Sequence, residues 1–108
     1  MSLKDDVKRY RKTKKGVISS IYGAQKANNK RKGRELPTYT KKELSEWLYS
    51  KEEFHIYFDN WVRLDYQSLY KPSVDRIDDN LGYTMANIQL TIWKHNLRKK
   101  RNRIRKEK

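Results

Sequence analysis

The sequence predicts an α+β chain: a mainly helical N-terminal half, then a strand, loop, strand and helix of ββα type, with a basic C-terminal helix. Three observations predict it. Apolar residues recur at three- and four-residue spacing as far as Val62, which is helical periodicity. From Ser73 the pattern shortens to two β-type runs, "SVDRI" and "NIQLTI", parted by "DDNLGYTMA", whose Asp, Asn and Gly are loop formers. From about Trp93, "WKHNLRKKRNRIRKEK" reads as a helix that grows more basic towards its end.

Residues 1–13 are dominated by charge and poor in apolar positions, which predicts a flexible basic arm. Val17, Ile18, Ile21 and Tyr22 then predict a helix over about residues 14–30, with Gly33 as its stop. The proline of "ELPTYT" breaks that pattern. Thr40 with Glu43 has capping-box spacing and opens "KKELSEWLYS", in which Leu44, Trp47 and Leu48 share a face. Ser50 with Glu53 repeats the signature, and Phe54, Tyr57, Phe58, Trp61 and Val62 form one stripe on the next helix. At this spacing the aromatics are expected to be core, and His55 among them a packing or surface residue. Residues 14–71 thus read as a helical support region and 72–108 as the ββα unit, in one compact domain.

With 108 residues and 35% hydrophobic content, the core must be small. Three Trp, eight Tyr and two Phe supply much of the buriable surface. Twenty-seven Lys and Arg against thirteen Asp and Glu give a net charge of +14, which makes nucleic acid the leading partner. The absence of cysteine excludes disulfides, Cys-ligated zinc and thiol catalysis. No apolar run is long enough for a membrane span or signal peptide, so a soluble, cytoplasmic protein is expected.

Asp75, Asn87 and Asn96 are the residues most suggestive of chemistry. Hard divalent cations take oxygen ligands and are usually held by one or two protein groups together with water and substrate phosphate. Asp75 offers a carboxylate and Asn96, early in the last helix, an amide oxygen; a ββα unit brings strand and helix together. Asn87 opens the second strand, where its amide can both donate and accept and so tie loop to strand.

"VDRIDDNLGYTMANIQLTIWKHNLRK" resembles the HNH endonucleases of the His-Me finger group, particularly the phage and intron homing type. The matching residues are Val74, Asp75, Ile77 and Asp78, then Asn87, Ile88 and Leu90, then Lys94 and Asn96. The upstream stretches "YRKTKKGVISSIYGAQK", "PTYTKKELSEWL" and "FHIYFDNWV" are similar to the N-terminal part of small phage HNH proteins. The resemblance implies a ββα-metal motif in which Asp75 and Asn96 bind one ion, Mg²⁺ with Mn²⁺ as a substitute, and Asn87 braces the loop. It implies a small endonuclease or nickase acting on double-stranded DNA, with no small-molecule substrate, as a monomer or weak homodimer.

The family's base histidine falls on Arg76, which stays protonated and cannot accept a proton. Arg76 would instead clamp a phosphate, and the base would be Tyr83, His95, Asp78 or solvent-deprotonated water. For His95 a phosphate contact or a solvated position is the competing reading. Lys12, Lys14, Lys15, Lys30, Arg31, Lys32 and Arg34 on one side, with Arg98, Lys99, Lys100, Arg101, Arg103 and Arg105 on the other, are candidates to follow a duplex backbone. The alternative is a catalytically inactive nucleic-acid-binding regulator on the same scaffold.

Overall fold

A computed structural model describes residues 3–31, 33 and 35–95. It has the expected α+β character, with the helices in the N-terminal half. Four helices, α1 (Leu3–Arg11), α2 (Lys14–Arg31), α3 (Lys41–Tyr49) and α4 (Glu52–Arg63), precede two strands, β1 (Pro72–Arg76) and β2 (Ile88–Ile92). Residues 93–95 are helical; the rest of the expected C-terminal helix lies outside the described residues.

Where the charge pattern predicts an arm, residues 3–11 form a helix. Its anchor is local. The Thr13 hydroxyl donates to the Tyr10 carbonyl at 2.6 Å and accepts from the Gly16 amide at 3.0 Å, so one side chain closes α1 and caps α2. A Cβ on Gly16 would lie 1.9 Å from the Tyr10 carbonyl oxygen, so only glycine lets the two helices meet this closely.

Val17, Ile18 and Ile21 on α2 are buried, as their spacing predicts. The same face continues through two polar residues that the apolar pattern does not reveal, Gln25 and Asn29, both buried. Each has a partner from the connector to α3: Gln25 Oε1 accepts from the Tyr39 hydroxyl at 2.7 Å, and Asn29 Nδ2 donates to the Glu35 carbonyl at 2.9 Å. Gly33, in the left-handed region at φ 68°, follows the helix end.

The Thr40 capping box is formed in both directions, at 3.1 Å from the Glu43 amide to the hydroxyl and 3.0 Å from the Thr40 amide to the carboxylate. The second expected box, Ser50 with Glu53, is not. Ser50 is the C-cap of α3 and its hydroxyl donates to the Trp47 carbonyl, while Lys51 stands at the N-cap of α4 without a side-chain bond. With one helix ending where the next begins, the serine is already spent. Val62 also departs from its stripe: it is exposed, whereas Phe54 and Trp61 are buried and Tyr57 and Phe58 half-buried.

After α4, Asp65 and Tyr66 both take positive φ, 57° and 60°, an uncommon conformation for a bulky residue such as Tyr. The Tyr66 amide donates to the Trp61 carbonyl at 2.8 Å, and its ring stands edge-on to Trp61 with centroids 4.9 Å apart. That turn directs the chain into the sheet.

The strands are antiparallel in the register Pro72↔Ile92, Ser73↔Thr91, Val74↔Leu90, Asp75↔Gln89 and Arg76↔Ile88. Alternation places Val74 and Ile88 on the face that joins Val17, Ile18, Ile21, Leu44, Leu48, Phe54 and Trp61 in one buried cluster. Ser73, Asp75, Gln89 and Thr91 share the other face. The sheet is thus seated on the helical core rather than hung beside it.

Candidate functional site

β1 and β2 are joined by residues 77–87, and the shape of this loop is set by two side chains at its base. Asn87 is buried, and its amide makes three hydrogen bonds. Oδ1 accepts from the Asp78 amide at 2.9 Å, while Nδ2 donates to the carbonyls of Asp78 at 3.1 Å and Gly82 at 2.9 Å. Reversing the amide would set donor against donor and acceptor against acceptor at every one of these contacts, so the orientation is determined. The Asn87 carbonyl in turn accepts from the Ile77 amide at 2.9 Å. Asn87 therefore ties the loop to the start of β2.

Arg76 acts on the same loop from the other strand. Its Nη1 donates to the carbonyls of Asp79 at 3.1 Å and Leu81 at 3.3 Å, and its guanidinium carbon lies 5.3 Å from the centre of the Tyr83 ring. Arg76 is thus turned onto its own loop. Tyr83 is half-buried beneath it, and the Tyr83 carbonyl accepts from the Thr38 amide at 3.1 Å, which links the loop to the connector before α3. Asp78 uses Oδ1 to accept from the Asn80 amide at 2.9 Å, a turn-forming contact. Beside this loop, Asn29, Gly33, Glu35 and Arg76 line a cleft of about 460 Å³.

Asp75 is half-buried on the non-core face of the sheet, and its Oδ1 accepts from the Arg76 amide at 2.8 Å. His95 is exposed and belongs to the same side, because its Nδ1 lies 3.3 Å from Oγ1 of Thr91, which shares the face of Asp75. Asn96, the expected second metal ligand, lies outside the described residues. So do Lys32, Arg34, Arg98, Lys99, Lys100, Arg101, Arg103 and Arg105, together with the side chain of Arg31. Among the described residues no three His, Asp or Glu side chains converge on one point. A site made of one carboxylate, an amide and substrate phosphate has no such cluster, so the donor type of Asp75 fits a hard cation.

The described basic residues divide by environment. Lys15 and Lys30 are exposed. Lys12 lies 4.5 Å over the Tyr66 ring. Lys14 is engaged internally: its ammonium donates to His55 Nδ1 at 2.8 Å, which leaves His55 Nε2–H to donate to the Tyr49 carbonyl at 3.0 Å. Through these contacts His55 joins α2 to α4.

Sequence reasoning passed over Lys71, just before β1. Its ammonium donates to Ser20 Oγ at 3.0 Å and lies 5.9 Å from the Trp61 ring; burial, then the nearby charge of Arg11, lower its pKa. Burial likewise pushes the Tyr39 phenol well above its ordinary range, with the neighbouring Tyr83 adding to the shift. Neither residue carries a local motif that would reveal it. No helix among the described residues is long and apolar enough to cross a membrane. Family models, curated proteins and solved structures show no match to this chain.

Proposed function

We propose that this chain is a small HNH-type endonuclease or nickase that hydrolyses a phosphodiester bond of double-stranded DNA with one divalent ion. The observation that carries the reading is the Asn87 brace: a buried amide makes three bonds to the loop that leaves the strand of Asp75. The resemblance of residues 74–96 to that family and the +14 charge support it.

In this reading the Asp75 carboxylate and the Asn96 amide oxygen are the protein's ligands to the ion. When bound, such an ion supplies charge neutralisation at the scissile phosphate and stabilises the leaving oxygen. Arg76 takes no proton. Through Asp79 and Leu81 it keeps the loop beside Asp75 in shape, and its fixed positive charge contributes to the field at the phosphate. A single ββα site cuts one strand, so nicking is the expected elementary product.

The contacts of Arg76 also favour a second reading, a binding protein without catalysis, because the position of the base is given to a loop clamp. Supercoiled plasmid incubated with Mg²⁺, Mn²⁺ or EDTA separates the two. Ion-dependent nicking lost in Asp75→Ala and in Asn96→Ala is the expected result. Salt-sensitive DNA binding indifferent to EDTA, with no cleavage of plasmid or source genome, would replace the enzyme by the binder.

A further inference from the structure

The N-terminal helices border a second, open cleft, of about 280 Å³, that shares no residue with the strands or their loop. Tyr10 of α1, Lys15, Ile18 and Ser19 of α2, and Lys41 and Lys42 of the first turn of α3 line it. We propose that it holds one unstacked nucleotide of a single-stranded or extruded segment, with the base against Tyr10 and the phosphates on the three lysines.

Four observations converge on this ligand. Tyr10 is 49% exposed, yet its hydroxyl is within 3.1 Å of Ser19 Oγ, so the ring is pinned at one end while much of its surface is open. A ring held this way is a stacking platform that loses little freedom on binding. The approach of α1 to α2 that builds the cleft is fixed by Gly16, where any side chain would collide with the Tyr10 backbone. Lys15, Lys41 and Lys42 outnumber the single lining acid, Glu46, which suits a phosphate-bearing ligand in a chain of +14. The volume, about 280 Å³, falls just below the range of small-molecule pockets, about 300–1,000 Å³, enough for one ring system and too little for a helix.

The site rests on the nucleic-acid partner proposed above and not on cleavage. It gives the N-terminal helices a role distinct from gripping a duplex backbone: they capture a base that has left its stack, as proteins acting on single strands do.

Fluorescence polarisation in EDTA, with a short fluorescein-labelled oligothymidylate and a duplex of the same length, tests the proposal on the full chain. Tyr10→Ala should weaken the single strand roughly tenfold, as loss of one stacked base does, and leave the duplex unchanged. Tyr10→Trp should retain single-strand binding, and Lys41→Glu should weaken it; these two carry the test if Tyr10→Ala does not fold. Single-strand affinity unaltered in Tyr10→Ala, or lost equally in Tyr10→Trp, overturns the pocket while duplex binding still supports the nucleic-acid reading. Wild-type protein that binds neither probe overturns both.

Discussion

The helical half and the β1–β2 loop are stabilised by different physics. Around Leu44, Leu48 and Phe54, all fully buried, the helices are held by apolar burial, each such side chain contributing about 1.5–3 kcal/mol relative to exposure. The loop has little of this. Ile77 and Leu81 are each 57% exposed, and its shape depends on Asn87 and Arg76 bonding to backbone groups. An apolar core tolerates small adjustments among neighbours, whereas a buried amide holds one geometry or leaves its partners unsatisfied. The second arrangement suits a segment beside a candidate site, where position matters more than bulk.

Removing the largest fully buried side chain should show the strongest effect. Phe54→Ala is expected to cost about 3–5 kcal/mol and to lower the whole unfolding transition by calorimetry. A loss confined to one segment would break the contrast between the two regions. Asn87→Ala should cost less, about 1–3 kcal/mol, and act locally. Hydrogen exchange should accelerate at the amides of Ile77 and Asp78 while those of α2 stay protected; uniform acceleration would mean that the loop is part of the main cooperative unit.

Helix ends allow a finer comparison. Thr40→Ala removes a formed capping box and should cost about 1 kcal/mol, whereas Ser50→Ala, which removes only an exposed bond at the end of α3, should cost less in the same denaturant titration. Equal costs would argue that Ser50 caps α4 in solution. The smallest effect should appear only in alkali. The folded state holds the Tyr39 proton more tightly than the unfolded chain does, so the unfolded state releases it first and stability falls as pH rises past about 10. Tyr39→Phe should shallow that fall, while the lowered pKa of Lys71 acts in the opposite direction and remains in the variant.

The legible parts of the chain were those with a local cause. The span of α2, the Thr40 box and both strands to within a residue follow from periodicity and capping, which act between neighbours in sequence. Asn87 as a loop brace was legible too, because an amide at the entry of a strand after a Gly-containing loop has few other uses. The N-terminal helix was not, because charge density conceals a contact that depends on Gly16. Nor was the Lys14–His55 bond, whose partners are far apart in sequence.

By itself, then, the sequence determined the order and type of the elements from α2 to β2, the strong positive charge, and the placement of Asp75 and Asn87 around one loop. Short-range sterics, hydrogen bonding and summed charge require no knowledge of the fold. Only the tertiary structure decided that Arg76 turns onto the carbonyls of Asp79 and Leu81, that Gln25 and Asn29 are buried with partners, and that Tyr10 and Lys41 share a cleft. Each of these is a choice between water and a distant partner, and that choice is made only when packing has set which groups lose their water.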